Sequence, residues 1–139
     1  MSTPYQSADL IRLNPANLPD ASAFGHSQIT IVEPSRLAFI SGQVAWQAGG
    51  AGVPSELVQQ AGLVIANAKT ALQAAGATPA DLVMVRVYVV DLTPERLQAF
   101  MPILLAFLDG AQPSLTGIGV AALAGPELQL EIEMVARVK

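Results

Sequence analysis

Cysteine is missing from the chain and histidine occurs once, so disulfides and thiolate chemistry are excluded and a zinc site has too few ligands to form. Charge is scarce too. Only 13% of the 139 residues are Asp, Glu, Lys or Arg, where an ordinary soluble domain carries about 25%. Hydrophobic residues make up 52%. A single small domain has much surface for its volume and needs more polar cover than this, so part of the surface is expected to be buried against other copies of the chain. No apolar run approaches the ~18 residues of a membrane span. The longest helical stretch is interrupted by Gln59, Gln60, Asn67, Lys69 and Gln73, and no membrane partner is expected. Seven basic residues against eleven acidic ones give a net charge of −4 with no basic stripe, which argues against nucleic acid as a partner. The opening MSTPYQSADL lacks the charged and apolar regions of a signal peptide, so a cytoplasmic location is expected. The glycines of "GGAG" do not lead from a strand into a helix with nucleotide-binding spacing, and no cofactor or metal is expected.

What is present reads as one domain over residues 1–139, without repeats or linkers. "ADLIRLNP" predicts a short strand, and "SQITIVEPSRLAFISGQVAW" a hairpin turning at "EPSR". Ser55 is the expected N-cap of a long helix that ends near Gly76. The Val-rich "LVMVRVYVVDL" predicts a strand. A second helix follows, with Thr93 as N-cap, Pro94 in the first turn and Pro102 as a possible kink. "SLTGIGVAAL" and the final "LQLEIEMVARVK" supply two more strands. The order β-β-β-α-β-α-β-β predicts an α+β fold, a mixed six-stranded sheet with both helices on one face and the other face against a neighbouring subunit. In the last strand, period two places Leu128, Leu130, Ile132 and Met134 on one face and Gln129, Glu131 and Glu133 on the other. Two carboxylates side by side in so apolar a chain are the first candidates for chemistry.

Several segments together resemble the Rid family, the YjgF-type proteins: "LAFISGQVAW", "AAGATPADLVMVRVYVVDL", the Pro113-to-Leu123 pattern P-x-L-T-x-I-x-V-x-x-L, and "LEIEMVA". The resemblance implies a chorismate mutase-like trimer with a ligand cleft between subunits. It also implies activity like that of enamine/imine deaminases that act on 2-aminoacrylate-type intermediates, although other members carry an endoribonuclease label. It implies that the first glutamate of "EIE", Glu131, faces the cleft and positions the hydrolytic water. Deaminating members place a carboxylate-gripping arginine two positions after the proline that here is Pro113, and Leu115 takes that place. Met101 falls near where those members have an asparagine, and His26 at or near an aromatic that lines the cleft.

Each candidate has a bland reading beside the functional one. Glu131 is either a general acid/base or an interfacial carboxylate. Arg86 is either the ion-pair partner of Glu131 or Glu133, since a buried charge needs one, or a substitute anion anchor. His26 is a loop hydrogen-bonder or a cleft residue. Gly117 and Gly119 either allow close backbone approach or widen the cleft. Ser41 and Gly42 can offer a hydroxyl and an amide to a ligand, but no base stands beside Ser41 in sequence. Trp46 lines the cleft or covers the "QAGGAG" loop. The reading is a homotrimeric small-molecule hydrolase, Glu131 acting on water and His26, Ser41, Gly42, Arg86, Met101, Leu115 and Gly117 shaping the cleft. A non-catalytic trimeric module that binds a metabolite or protein is the alternative, and a ribonuclease the third.

Overall fold

The computed structural model describes residues 6–7, 10–33 and 36–139. Among them are strands β1 (Gln6–Ser7), β2 (Leu10–Leu13), β3 (Ile29–Val32) and β4 (Arg36–Gln43), helix α1 (Leu57–Ala74), strand β5 (Leu82–Val90), helix α2 (Pro94–Leu108), and strands β6 (Ser114–Val120) and β7 (Leu130–Val138). Short 3-10 turns at Ala21–Phe24 and Pro79–Asp81 lead toward β3 and β5. The α+β class, the mixed sheet and the two helices are as the pattern predicts.

Period-two alternation determines which side chains enter the core. Val85, Val87 and Val89 of β5 and Leu130, Ile132 and Met134 of β7 are almost wholly buried. They meet Ala61, Val64, Ala68 and Leu72 of α1 and Phe100, Leu104 and Leu108 of α2 in one core cluster. The helix residues recur at three- and four-residue steps, which makes one apolar stripe on each helix. The intervening strand residues, Met84, Arg86 and Tyr88 on β5 and Glu131, Glu133 and Val135 on β7, turn to the face without helices. The strand order is β4-β7-β5-β6, with β5–β6 parallel and β7 antiparallel to both its neighbours.

The strands form two ladders rather than one six-stranded sheet: β1-β2-β3, and the four-stranded one above. Among the described residues, a single bridge, Ser27 to Ser114, joins them. Around that bridge the buried Arg12 donates to the Thr30 hydroxyl at 3.2 Å, which lies 2.8 Å from the Ser114 hydroxyl. Polar contacts therefore dock the small ladder where continuous pairing stops.

The hairpin expectation is corrected. Pro34 and Ser35 of its turn lie outside the described residues, and the flanking strands pair elsewhere, β3 with β2 and β4 with β7. Alternation gives a strand its buried face but does not choose its neighbour, and the apolar C-terminal strand is the partner that completes the core. Ser55 is likewise not the cap. Glu56 occupies that position with no side-chain cap bond. The entry to α1 is held instead by fully buried Gln60, whose amide donates to the carbonyls of Pro54 and Glu127, both at 2.8 Å, and accepts from the Gln129 amide. Thr93 does cap α2, accepting from the Arg96 amide at 3.2 Å, and Gly76, φ +75°, follows the end of α1 in the left-handed region.

Candidate functional site

The residues singled out in the sequence fall into two groups on opposite faces of the sheet. The first surrounds a cavity of about 650 Å³ between α2 and β6, where His26, Met101, Leu115 and Gly117 all contribute wall. β6 runs parallel to β5 with Leu115 beside Val85 and Gly117 beside Val87, so both face the helix side. His26 is delivered by the 3-10 turn. Gly25 closes it in the left-handed region at φ +83°, and the His26 amide donates to the Ala21 carbonyl at 3.2 Å. The next residue, Ser27, donates its amide to the Pro113 carbonyl at 3.0 Å and its hydroxyl to the Gln112 carbonyl at 2.7 Å. Gly25 presses on Leu105 of α2 so closely that a Cβ there would collide with the leucine side chain. The loop bearing His26 is thus pinned to both walls of the cavity. Its Nδ1 is buried and has no hydrogen-bond partner.

The second group lies on the helix-free face. The register sets Arg86 directly opposite Glu133 and Tyr88 opposite Glu131. Arg86 pairs with Glu133 at 3.3 Å, and the Tyr88 hydroxyl makes a short hydrogen bond to the same carboxylate oxygen. This is the ion-pair reading of Arg86, but its side chain is 45% exposed in the protomer, so no buried charge demands the pair. Glu133, holding Tyr88 by that bond and helped by burial and its charge, pushes the phenol above its usual pKa. Among the described residues, no cation pairs with Glu131. Burial and then the Glu133 charge raise its pKa above the ordinary 4.5. Its carboxyl group rests on Gly42, where any Cβ would run into it. Gly42 sits in a register shift of β4 between Ile40 and Gln43, beside exposed Ser41. A bulge of this kind re-aims side chains and is common next to functional sites. Ser41, Arg86 and Glu133 also edge a second hollow of about 510 Å³, with Leu37, Phe39 and Met84.

The expectation that Leu115 and Met101 wall the space in front of Glu131 does not hold within one chain. Glu131 pairs in register with Tyr88 on one face, whereas Leu115 pairs with Val85 on the other. The close-approach reading also fails for Gly117, where an added Cβ would meet open space, but it holds for Gly119, whose Cβ would lie 3.2 Å from that of Leu92. Trp46 takes its second reading. Its indole donates to Glu127 at 2.9 Å over the glycine-rich loop, well away from either group.

Residues 18–138 match the family described as endoribonuclease L-PSP. A protein of unknown function of the conserved Rid family, YyfB from Yersinia pestis, is 42% identical over 94% of this chain and 99% of its own, with a TM-score of 0.86. The chain belongs to the Rid family. Among other solved structures, Rv2704 from Mycobacterium tuberculosis, a member of the YjgF/YER057c/UK114 family, is 26% identical over 93% of this chain and 99% of its own, with a TM-score of 0.63. E. coli TdcF, solved with bound serine, is 26% identical over 92% and 94%, with a TM-score of 0.66. No curated protein gives a significant match.

Sequence reasoning missed much of the Rid protein's cavity. Phe24, Leu97, Phe100 and Leu104 line it and were not singled out. The spacing of Leu97, Phe100, Met101 and Leu104 on α2 marks a continuous helix face and could have indicated three of them. Phe24 carries no such signal, because a 3-10 turn has no sequence period. Tyr88 was recognisable as a face-mate of Arg86, but its bond to Glu133 depends on the register with β7. Among the described residues, no cluster of three or more histidine and carboxylate side chains is placed to hold a metal, and no helix is long and apolar enough to cross a membrane.

Proposed function

We propose that this Rid protein is a small-molecule hydrolase acting on an imine, enamine or related C–N bond, in clefts formed between the subunits of a homotrimer. The observation that carries this reading is Glu131. It is a carboxyl group with a raised pKa, seated on Gly42 at a strand bulge, without a cationic partner among the described residues, on a sheet face that also exposes Leu37 and Phe39. An acid whose pKa moves toward neutrality can both accept and return a proton near pH 7. In the reaction, Glu131 takes a proton from water as the oxygen adds to the C=N carbon. It returns that proton to nitrogen, and the resulting carbinolamine collapses to a carbonyl with loss of ammonia or an amine. An enamine enters the same route after protonation at carbon. The cavity group and the Glu131 group cannot meet in one protomer, so a common site needs a second copy presenting its helix-free face to the cavity.

The missing arginine bears on the substrate. Leu115 stands where the resembling deaminases grip a carboxylate, and loss of a bidentate charged contact costs about 2–5 kcal/mol, or roughly 30- to 5,000-fold. Acceleration of 2-iminopropanoate hydrolysis, generated by an amino-acid oxidase and followed by ammonia release, is therefore expected to be weak or absent. Bulkier, less acidic imines should be turned over, and Glu131→Gln should abolish that turnover while ligand still binds. Wild-type rates in Glu131→Gln would remove this mechanism. The apolar cavity favours one other reading, a trimeric module that binds a metabolite without reaction. Stabilisation by ligands with no turnover of any imine would select it. Ribonuclease activity is disfavoured by the net charge of −4, since phosphate binding draws on clustered Lys and Arg.

A further inference from the structure

We infer that the cavity between α2 and β6 binds the uncharged, apolar part of a small molecule, an aryl or branched alkyl group next to a neutral polar group that pairs with His26, and rejects carboxylates. This deepens the hydrolase reading and rests on it only for taking this cavity as the ligand site.

At about 650 Å³ the cavity lies within the ~300–1,000 Å³ of small-molecule sites. Among the described residues, no Asp, Glu, Lys or Arg contributes to its wall, and His26 and Thr116 are the polar ones that do. A carboxylate placed there would lose its water with no counter-charge to replace it. Apolar surface suffers no such loss, and the mouth already presents Phe24 at 68% exposure, with Leu97 and Leu105 also exposed. A ligand that covered them would remove apolar area from water. Met101 lends an adaptable wall that tolerates different ring and chain shapes. Gly117 leaves open space where any other residue would project into the cavity. One polar demand remains unmet. His26 lines the cavity, and its Nδ1 is buried without a partner and closed to solvent until the ring turns toward the cavity, where it donates or accepts according to tautomer. A neutral amide, hydroxyl or imine on the ligand satisfies it, and a hydrocarbon alone does not.

Phenylacetamide and phenylacetate have matched shape and differ in charge. Each is titrated into the intact protein at pH 7, with binding followed by calorimetry and by NMR shifts of the α2 amides. The amide is expected to bind at least about tenfold more tightly than the acid. Gly117→Val, which fills open space without backbone collision, should weaken the amide by at least about tenfold while thermal unfolding stays near that of wild type. Leu115→Arg should invert the preference by supplying the missing counter-charge. His26→Phe should weaken phenylacetamide severalfold yet leave toluene binding unchanged, a split that mere loosening of the loop would not produce. Equal or tighter binding of phenylacetate by wild type, binding of neither probe, or full affinity in Gly117→Val would overturn the inference. The hydrolase reading fails separately. Amide preference without turnover of any imine would leave the inference standing and remove the hydrolase, whereas Glu131-dependent turnover with a carboxylate preference would do the reverse.

Discussion

Glu131 and Glu133 are two residues apart on one strand face, yet their surroundings separate them. Glu133 is bound by Arg86 and Tyr88, whereas Glu131 rests on Gly42 beside its neighbour's charge. The raised pKa of Glu131 has a definite sign in stability. Between the ordinary 4.5 and the raised value the folded state binds more proton than the unfolded state, so stability falls as pH rises through that window. Above it, ionised Glu131 is a constant cost. Glu131→Gln should therefore be more stable than wild type at pH 7, and the gain should vanish below about pH 4.5, as urea unfolding at a series of pH values would show. A carboxylate held by a hidden cation would give the opposite order at neutral pH.

At the scale of elements, buried polar side chains fasten pieces that alternation leaves unconnected. Gln60 ties the start of α1 to the segment leading into β7 with two hydrogen bonds and to Pro54 with a third, and Gln129 adds a bond to the Ser55 carbonyl at 2.6 Å. Gln60→Leu keeps the volume but strands two carbonyls and an amide. A loss of about 2–4 kcal/mol is expected in chemical denaturation, since each unsatisfied buried group costs roughly 1–3 kcal/mol. At the other end of the sheet, Arg137 of β7 pairs with Asp81 at 3.1 Å, both largely buried. Burial pushes Asp81 upward, but bonds from the Thr78 amide, Arg137 and the Thr78 hydroxyl outweigh it and hold the carboxyl below the ordinary 3.8. The stabilisation is fully present above pH 3.8 and is lost as pH falls through the depressed value. Asp81→Asn should cost about 2 kcal/mol at pH 7, because Arg137 loses a charged hydrogen-bond acceptor, and the gap to wild type should close in strong acid.

For the whole molecule, the proposed assembly turns on the helix-free sheet face. Phe39 is 77% exposed in the middle of β4, with Leu37 exposed on the same strand. Contiguous apolar surface of this kind marks an interaction site. The proposed homotrimer buries it and would bring Glu131 toward a neighbouring cavity. Light scattering at micromolar concentration should give three times the 14.4 kDa chain mass, and Phe39→Glu should shift the population to monomer. A wild-type monomer would remove the shared cleft and the hydrolase mechanism built on it.

The amino-acid sequence alone determined which residues enter the core, because burial follows the periods of helix and strand. Val85, Val87 and Val89 against Arg86 and Tyr88, and Ile132 and Met134 against Glu131 and Glu133, are readable from alternation. The cap at Thr93 and the left-handed Gly76 are readable because they act within a few residues. His26, Met101, Leu115 and Gly117, all named from the sequence, line one cavity. Tertiary structure decided the remainder. It moved β4 from β3 to β7, replaced a Ser55 cap with a glutamine reaching across the fold, and gave Glu133 rather than Glu131 to Arg86. It also placed Leu115 and Glu131 on opposite faces of the sheet. Each of these depends on which strand edge meets which and in what register. That is a choice among long-range pairings of similar local quality, settled by the packing of the entire core and not by any stretch of sequence.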